Sequence, residues 1–233
     1  MIIVLNNKSN LNKQEFKEYY KQLLKIKTKS KLVLCPTFIN IGLVYDNKIL
    51  LGSQNVSKDL NGAYTGEISA SQLHDYGVKY SIVGHSERRE YQRETLDDIN
   101  KKIKRLSENN IVPILCIGET LEERKANQVE EVLDREIVSA IKNLTERERN
   151  KIIVAYEPIW SIGTGEIPTI EEIEEAFKFI KKRLPNNKIL YGGSANEKNI
   201  DILKESKLID GYLVGGLSLK PQELKTFIDK LEK

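Results

Sequence analysis

Eight short apolar runs recur along this 233-residue chain, and longer charged segments of helical period separate them. Each run is nearly continuous in apolar residues rather than alternating, which is typical of parallel strands buried on both faces. A strand and a helix repeated eight times in this length favour one (β/α)8 barrel domain, residues 1–233, over an open doubly wound sheet. The predicted strands are Ile2–Leu5, Leu32–Cys35, Lys48–Leu51, Tyr80–Val83, Val112–Ile117, Ile152–Ala155, Lys188–Tyr191 and Gly211–Val214.

The segments between these runs carry apolar residues at helical spacing, which predicts amphipathic helices around the barrel. Ser218 and Pro221 predict the cap and the first turn of the last helix, and Ile39–Tyr45 predicts a short additional one. The other predicted helices are Lys13–Leu24, Ser69–Tyr76, Thr95–Ser107, Asn127–Lys142, Thr169–Arg183, Glu197–Lys204 and Pro221–Leu231.

The composition narrows the class of protein. An apolar share of 39% supplies a substantial core, and 37 basic against 34 acidic residues argue against a nucleic-acid binder. Two cysteines, Cys35 and Cys116, are too few for a disulfide framework and fit a reducing compartment. The N-terminus lacks the basic lead of a secretory signal, and the longest apolar segment, Ile111–Ile117, is too short to span a bilayer. We therefore expect a soluble cytoplasmic protein with no membrane or nucleic-acid partner.

In a barrel of this kind the chemistry lies at the carboxyl ends of the strands. Lys8, His85 and Glu157 follow the first, fourth and sixth predicted strands. Two glycine-bearing loops, Gly192–Ser194 and Gly215–Gly216, follow the last two strands. Adjacent glycine loops offer unobstructed backbone amides, which suits a phosphate site, although tight strand-to-helix turns alone would also explain the glycines.

His85 precedes a predicted helix start, where the positive end of the helix dipole keeps an imidazole neutral. A neutral ring can donate a hydrogen bond to a carbonyl oxygen; a hydrogen-bonded core histidine is the alternative. The other histidine, His74, falls in a charged helix and is expected at the surface. Glu157 ends a buried strand, where a carboxylate is either functional or paired, with Lys8 or another cation as the expected partner. A carboxylate base, a neutral electrophile, a cation and an anion cradle together suit proton abstraction beside a phosphate-bearing carbonyl.

The stretch from Pro158 to Pro168 is apolar in its middle, contains glycine and is bracketed by prolines. An ordinary solvated loop would not expose Trp160 with Ile159 and Ile162 to water. A lid that closes over a substrate explains them, because its apolar tip is buried when the lid is shut. A fixed loop packed against a neighbouring element or a partner chain is the alternative.

These residues and their neighbours resemble the triosephosphate isomerase family along essentially the whole chain. The motifs after the fourth and sixth strands are highly specific, whereas the glycine pairs alone are not. The matching stretches are Asn6–Lys8, Ala63–Ser69, Val83–Arg89, Cys116–Glu119, Ala155–Gly165, Tyr191–Ser194 and Asp210–Leu219.

The resemblance implies a TIM barrel that interconverts dihydroxyacetone phosphate and D-glyceraldehyde 3-phosphate, in glycolysis and gluconeogenesis, without a metal or an organic cofactor. This family is itself a standard example of a carboxylate base paired with a neutral histidine. By match, Glu157 would shuttle the proton, His85 would polarise the carbonyl, and Lys8 beside Asn6 would stabilise negative charge. Glu87 would be the second carboxylate of the site.

The resemblance also implies the parts around the catalytic centre. Ser86 would help to hold the base while the lid is open. The phosphate would be held by Gly163, Ser194, Gly215 and Gly216. The lid would include Pro158, Trp160, Gly163, Thr164 and Gly165.

Members of the family are usually homodimers, and the resemblance implies that the loop around Thr65 inserts into the partner chain. Glu67 and Arg88 match the family's ion pair near that contact. The chain departs from the family pattern at Asn7, where tryptophan is usual, at Ser161, where alanine is commoner, and at Leu217, where a small residue is usual.

Two other functions compete with this interpretation. Another phosphate-binding barrel isomerase or lyase would need a different base or a Schiff-base lysine. A catalytically silent barrel acting as a scaffold would be expected to have lost Glu157, His85 or Lys8, and all three are present.

Overall fold

The computed structural model describes residues 1–162 and 167–233, and the strands within them close into one parallel barrel. Each strand pairs with the next along the chain, and the last pairs with the first, which confirms the predicted (β/α)8 architecture. The strands are β1 (Ile2–Asn6), β2 (Lys31–Cys35), β3 (Leu50–Ser53), β4 (Tyr80–Val83), β5 (Val112–Ile117), β6 (Ile153–Tyr156), β7 (Ile189–Tyr191) and β8 (Gly211–Val214).

Helices surround the barrel, and 3-10 turns over Phe38–Leu43, Ile159–Ser161 and Gly216–Leu219 follow β2, β6 and β8. Over the described ranges, no helix has the length and apolar character that crossing a membrane requires. The α-helices are α1 (Lys13–Leu23), α2 (Ala70–Asp75), α3 (Ser86–Gln92), α4 (Leu96–Glu108), α5 (Leu121–Lys125), α6 (Val129–Ala140), α7 (Glu146–Arg149), α8 (Ile170–Arg183), α9 (Ile200–Leu203) and α10 (Pro221–Leu231).

Side chains alternate between two buried layers along each strand. In β1, Ile2 and Val4 belong to the cluster inside the barrel, whereas Ile3 and Leu5 belong to the larger cluster between the sheet and the helices. Both sets are buried, which explains why the strands read as continuous apolar runs.

The third strand lies two residues later than predicted. Lys48 belongs to a turn, where its N–H donates to Asp46 Oδ1 at 2.8 Å. Gly52, a residue type common in turns, lies inside β3, and glycine is needed there because a Cβ would approach Cys35 Sγ to 2.5 Å. Ser53 is satisfied within the sheet by donating to Ser81 Oγ at 2.8 Å.

The predicted cap of the last helix is also wrong. Pro221 does begin α10, but the preceding residue is Lys220, and Ser218 lies inside the 3-10 turn. The hydroxyl of Ser218 donates instead to the backbone carbonyl of Asn6, at 3.0 Å. The contact between β1 and the loop after β8 therefore outweighs the local preference of Ser218 for a helix cap.

Two short helices, α5 and α7, have no counterpart in the predicted set. Each begins with a capping box, Thr120 with Glu123 and Thr145 with Glu148. The Thr-x-x-Glu spacing was therefore visible in the sequence and is the signal that identifies them. The predicted helix from Glu197 is shorter, since Asn196 Oδ1 accepts from Lys198 N at 2.8 Å and holds a turn there.

Candidate active site

The alternation of the strands carries two polar residues to the mouth of the barrel. Asn6 continues the inward positions of β1, and Glu157 continues those of β6, one residue past its end. Both are buried, with 5% and 1% of their surface exposed. The same periodicity that fills the barrel with apolar side chains therefore delivers an amide and a carboxylate to one rim.

His85 reaches this rim by a break in the alternation. Gly84 has a φ of 72°, a left-handed conformation that favours glycine, and it turns the chain after β4. A side chain at this position would meet Ile99 Cδ1 at 2.9 Å. His85 then forms the N-cap of α3, with 6% of its surface exposed.

A cavity of about 490 Å³ opens at this end of the barrel. Its lining brings together residues from the ends of β1, β4, β6, β7 and β8. The predicted site residues among them are Asn6, Lys8, His85, Glu157, Ser194, Gly215 and Gly216.

Glu157 is held between its neighbours by backbone contacts. Its N–H donates to Ile117 O at 2.7 Å, and its Oε2 accepts from the N–H of Ser86 at 3.4 Å. A Cβ on Gly118 would overlap the carbonyl oxygen of Glu157, and one on Gly192 would lie 2.7 Å from its Cγ. A glycine directly after each flanking strand is therefore what allows the carboxylate to lie here.

The buried thiol of Cys116 lies close to this carboxylate and is affected by its charge. Burial raises the pKa of Cys116, and the negative charge of Glu157 raises it further. The thiol is thus held neutral beside the Glu157 carboxylate.

The hydrogen bonds of His85 define its tautomer. Its Nδ1 accepts from the backbone N–H of Glu87 at 3.3 Å, so this nitrogen carries no proton. Nε2 is then the protonated nitrogen, and it lies 3.5 Å from Glu157 Oε1. In this tautomer the ring presents its Nε2–H donor on the side that the carboxylate occupies.

Lys8 is fixed in an uncommon backbone conformation, with a φ of 52°. Its N–H donates to Asn6 Oδ1 at 3.1 Å, and its carbonyl accepts from Gln54 Nε2 at 2.9 Å. The ammonium group pairs with Glu87. Lys8 is therefore a partner of Glu87, and the ion pair with Glu157, which was the alternative to a functional carboxylate, is not formed.

The two glycine loops meet this cation. A Cβ on Gly215 would lie 3.0 Å from Lys8 Cε, so glycine allows the lysine to pass close to the loop. Ser194, after β7, donates its hydroxyl to the Ser161 carbonyl at 2.5 Å. Gly163, which the resemblance adds to this set, lies outside the described residues.

The start of the predicted lid packs against the end of β5. Ile159 N donates to Glu119 O, and Trp160 Nε1 donates to Glu119 Oε1, both at 3.0 Å. Arg124 stacks over the Trp160 ring, 5.4 Å from its centroid. Pro158 is buried and precedes the 3-10 turn. The predicted lid residues Gly163, Thr164 and Gly165 lie outside the described residues.

The predicted dimer loop is exposed. Residues 61–67, which include Thr65 and Glu67, lie on the surface, and Tyr64 has 48% of its surface exposed. Within this single chain, Arg88 Nε donates to Glu94 Oε2 at 2.7 Å.

Glu94 is a supporting residue that sequence reasoning missed. Its Oε1 accepts from the N–H of Gly84 at 3.1 Å, directly before His85, and its Oε2 accepts from Lys102 at 2.6 Å and from Arg88. Burial opposes the charge of Glu94, but Lys102 and Arg88 outweigh it and lower the pKa of Glu94 below its usual value. Its position in a charged helix-to-helix segment offered no signal for this role.

The Glu94 network predicts a pH dependence of stability. Because the folded-state pKa is lowered, the stabilisation is present above the unfolded pKa of about 4.3 and is lost as pH falls below it. We expect the melting temperature to fall between pH 5 and pH 3, and Glu94→Gln to flatten that fall while costing about 3 kcal/mol at pH 7. Thermal unfolding at several pH values measures both. Glu18→Gln, in an exposed pair with Lys21, is the matched control and should keep the parent profile.

The chain is a closed (β/α)8 barrel, and a buried carboxylate, an imidazole and a lysine line one cavity at the carboxyl ends of its strands. This arrangement is that of a (β/α)8-barrel enzyme. Within that class the chain belongs to the triosephosphate isomerase family, whose model, described as Triosephosphate isomerase, matches residues 1–231.

Individual relatives agree with the family model. The chain is 43% identical over 231 residues to the triosephosphate isomerase of Mesomycoplasma hyorhinis, covering 94% of this chain and 93% of the relative. It is 39% identical over 243 aligned positions to that of Clostridium botulinum, covering 98% of both chains. The enzyme of Dictyoglomus turgidum is 40% identical over 222 residues, covering 90% of this chain and 89% of the relative.

Proposed function

We propose that this protein is a triosephosphate isomerase that interconverts dihydroxyacetone phosphate and D-glyceraldehyde 3-phosphate. The carrying observation is the pairing of Glu157 with His85: Oε1 and Nε2 lie 3.5 Å apart on the wall of one cavity, beside Lys8. A carboxylate that takes protons and an imidazole that donates a hydrogen bond supply the two functions that an aldose–ketose isomerisation needs.

In the proposed reaction Glu157 takes the proton from C1 of dihydroxyacetone phosphate. The electron pair of that C–H bond forms the C1–C2 double bond, and the carbonyl π pair moves to the C2 oxygen, which gives an enediolate. His85 donates Nε2–H to this oxygen, and Lys8 stabilises its negative charge. Return of the proton to C2, with transfer of the hydroxyl proton between the oxygens, gives the aldehyde and needs no oxidant.

Several residues would serve this reaction without taking the proton. The amides of Gly163, Gly215 and Gly216, with Ser194, would hold the phosphate group, and Asn6 would donate from its NH2 group because Lys8 N occupies its Oδ1. Ser86 N–H would hold Glu157 before substrate arrives, and Glu87 would keep Lys8 in place. Segment 158–165, with Trp160 and Thr164, would exclude water as the lid.

A Schiff-base mechanism is disfavoured by the contact that Lys8 makes. Its Nζ pairs with the carboxylate of Glu87, whereas a Schiff base requires an amine that is free to attack a carbonyl carbon. The glutamate therefore remains the better candidate for the reacting group.

The test of the proposed function is a coupled assay. Purified protein receives D-glyceraldehyde 3-phosphate, and glycerol-3-phosphate dehydrogenase with NADH consumes the dihydroxyacetone phosphate formed. We expect rapid NADH loss that depends on the protein. No loss with protein shown to be folded by circular dichroism would reject the isomerase proposal and favour the silent barrel.

We also propose that the working form is a cytoplasmic homodimer. Both cysteines are free and buried, which suits a reducing compartment. Loop 61–67 projects as an exposed segment, and its neighbour Leu60 has 62% of its surface exposed. A second copy that accepts this loop would cover apolar surface that a monomer leaves in water. Glu67 and Arg88 would then form their ion pair near that contact.

Charge at the loop tip is expected to separate the subunits. Thr65→Glu buries a carboxylate without a partner if the loop inserts into a second copy, so the dimer dissociation constant should rise by at least about 100-fold. Sedimentation velocity over a concentration series measures it. Thr226→Glu, on the exposed face of α10, is the control and should sediment as the parent protein does. An unchanged mass for Thr65→Glu would show that the loop is not the contact.

A further inference from the structure

A buried chain of hydrogen bonds lies behind the rim where β1 and β8 end. Asn7 stands between two cavity-lining residues, Asn6 and Lys8, and has 1% of its surface exposed. Its Nδ2 donates to Tyr19 Oη on α1 at 3.4 Å and to Ser218 Oγ at 3.2 Å. Asn7 therefore joins the first helix to the loop that follows the last strand, 211 residues away in sequence.

Ser218 continues the chain in two directions. Its hydroxyl donates to the carbonyl of Asn6 at 3.0 Å, and its N–H donates to the carbonyl of Gly215 at 2.8 Å. Ser218 is completely buried. The Ser218 hydroxyl and the Asn7 side chain thus connect the end of β1 with the glycine loop of the cavity.

The sheet itself does not extend to these residues. The register between β1 and β8 ends with Leu5 opposite Val214, so Asn6, Lys8 and Gly215 lie beyond the last strand pair. The space there is narrow, since a Cβ on Gly215 would lie 3.0 Å from Lys8 Cε. Past the end of the ladder, the hydrogen bonds from Asn7 to Ser218 and from Ser218 to Asn6 connect the two loops.

The side chain of Asn7 makes its hydrogen bonds as a donor, through its NH2 group. Both contacts are made by Nδ2, while Oδ1 is buried without a partner among the residues that the structure describes. Burial raises the pKa of Tyr19, so its hydroxyl stays neutral, with an oxygen able to accept. A buried acceptor left unpaired is costly, so the two donated hydrogen bonds must hold the amide in this orientation.

We propose that Asn7 is a positioning residue, which holds the loop 215–219 in register with Asn6 and Lys8 so that one anionic substrate meets the loop amides and the lysine together. This inference rests on the proposed function, since it assigns a phosphate group to the loop. It makes Asn7 a determinant of phosphate affinity although the residue itself touches no substrate.

Asn187 provides a matched control at the other end of the barrel. It is also buried, its Nδ2 donates to Arg149 O and Ile152 O at 2.7 Å, and its Oδ1 is likewise unpartnered within the described ranges. It precedes β7 and so lies at the amino ends of the strands, away from the cavity. Asn187→Ala therefore removes the same kind of interaction without touching the site.

The experiment compares Asn7→Ala, Ser218→Ala, the double variant and Asn187→Ala. We expect Asn7→Ala to raise both KM and the dissociation constant of inorganic phosphate about 10-fold, with kcat falling less than about 3-fold. Ser218→Ala should have at least as large an effect, because it removes the hydrogen bond to Asn6 as well as the one from Asn7. The double variant should be no worse than Ser218→Ala alone. Asn187→Ala should lower the melting temperature and leave KM and phosphate affinity within about 2-fold of the parent values.

Different outcomes separate the two proposals. Equal effects of Asn7→Ala and Asn187→Ala, or additive effects of Asn7→Ala and Ser218→Ala, would overturn the positioning role. Phosphate affinity that depends on Asn7, in a parent protein without isomerase activity, would keep the positioning role and reject the proposed reaction. If Asn7→Ala does not fold, Ser218→Ala, which removes one hydroxyl, decides the question by the same measurements.

Discussion

Replacement of Glu157 by glutamine is expected to abolish most of the isomerase activity while the protein keeps its fold. The amide has nearly the shape of the carboxylate, so it fits between Gly118 and Gly192, but it does not accept the substrate proton. We expect kcat to fall by at least about 10²–10⁴-fold, the range that a positioned general base contributes. The coupled assay measures this loss, and calorimetry with inorganic phosphate shows whether the anion site survives.

Glu175→Gln is the control for this variant. It makes the same chemical change on the exposed face of α8 and should leave turnover and melting temperature unchanged. Near-normal turnover of Glu157→Gln would reject Glu157 as the base. Loss of phosphate affinity together with activity would show instead that the substitution had disturbed the whole site.

The largest structural effect is expected from Gly118→Ala. A Cβ at this position would overlap the Glu157 carbonyl oxygen, which is backbone and cannot rotate away, so the ends of β5 and β6 must separate. Glu136 Oε2, which accepts from Gly118 N at 3.0 Å, would lose its partner as well. We expect a loss of about 3 kcal/mol in unfolding free energy and a melting temperature lower by about 6–12 °C.

Gly118→Ala should also lower the catalytic rate. Displacement of Glu157 by about 1 Å would lower kcat by about 100-fold in the protein that remains folded. Gly42→Ala is the control, because a Cβ there would make an ordinary 3.8 Å contact with Tyr76, and it should change stability by less than about 0.5 kcal/mol. Wild-type stability and turnover of Gly118→Ala would show that the two strand ends are not packed as described.

The rim residues could be predicted because each one follows a strand in the sequence. To predict Lys8, His85 and Glu157 as site residues, it is enough to know where each strand ends and that the site of such a barrel lies at the carboxyl ends of its strands. The break at Gly84 was also local, because it needs only a glycine with a positive φ before His85. What could not be predicted was which charges would pair. Lys8 is far in sequence from every rim carboxylate, and only the fold places Glu87 beside it.

Errors in the predicted elements have the same origin. Gly52 and Ser53 have the composition of a turn, yet the neighbouring strands demand glycine at one and satisfy the hydroxyl of the other. Ser218 is a residue type that favours helix caps, yet its hydroxyl donates a hydrogen bond to a carbonyl 212 residues away in sequence. In each case a tertiary partner outweighed a local preference of about 1 kcal/mol.

The sequence by itself determined the strand-and-helix repeat, the closed barrel and the set of polar residues at its rim, because these depend on periodicity and on the order of residues along the chain. Only the tertiary structure decided the approach of His85 to Glu157, the pairing of Lys8 with Glu87 and the bridge from Asn7 to Ser218. Each of these contacts joins residues that follow different strands, and contacts of that kind exist only after the barrel has closed.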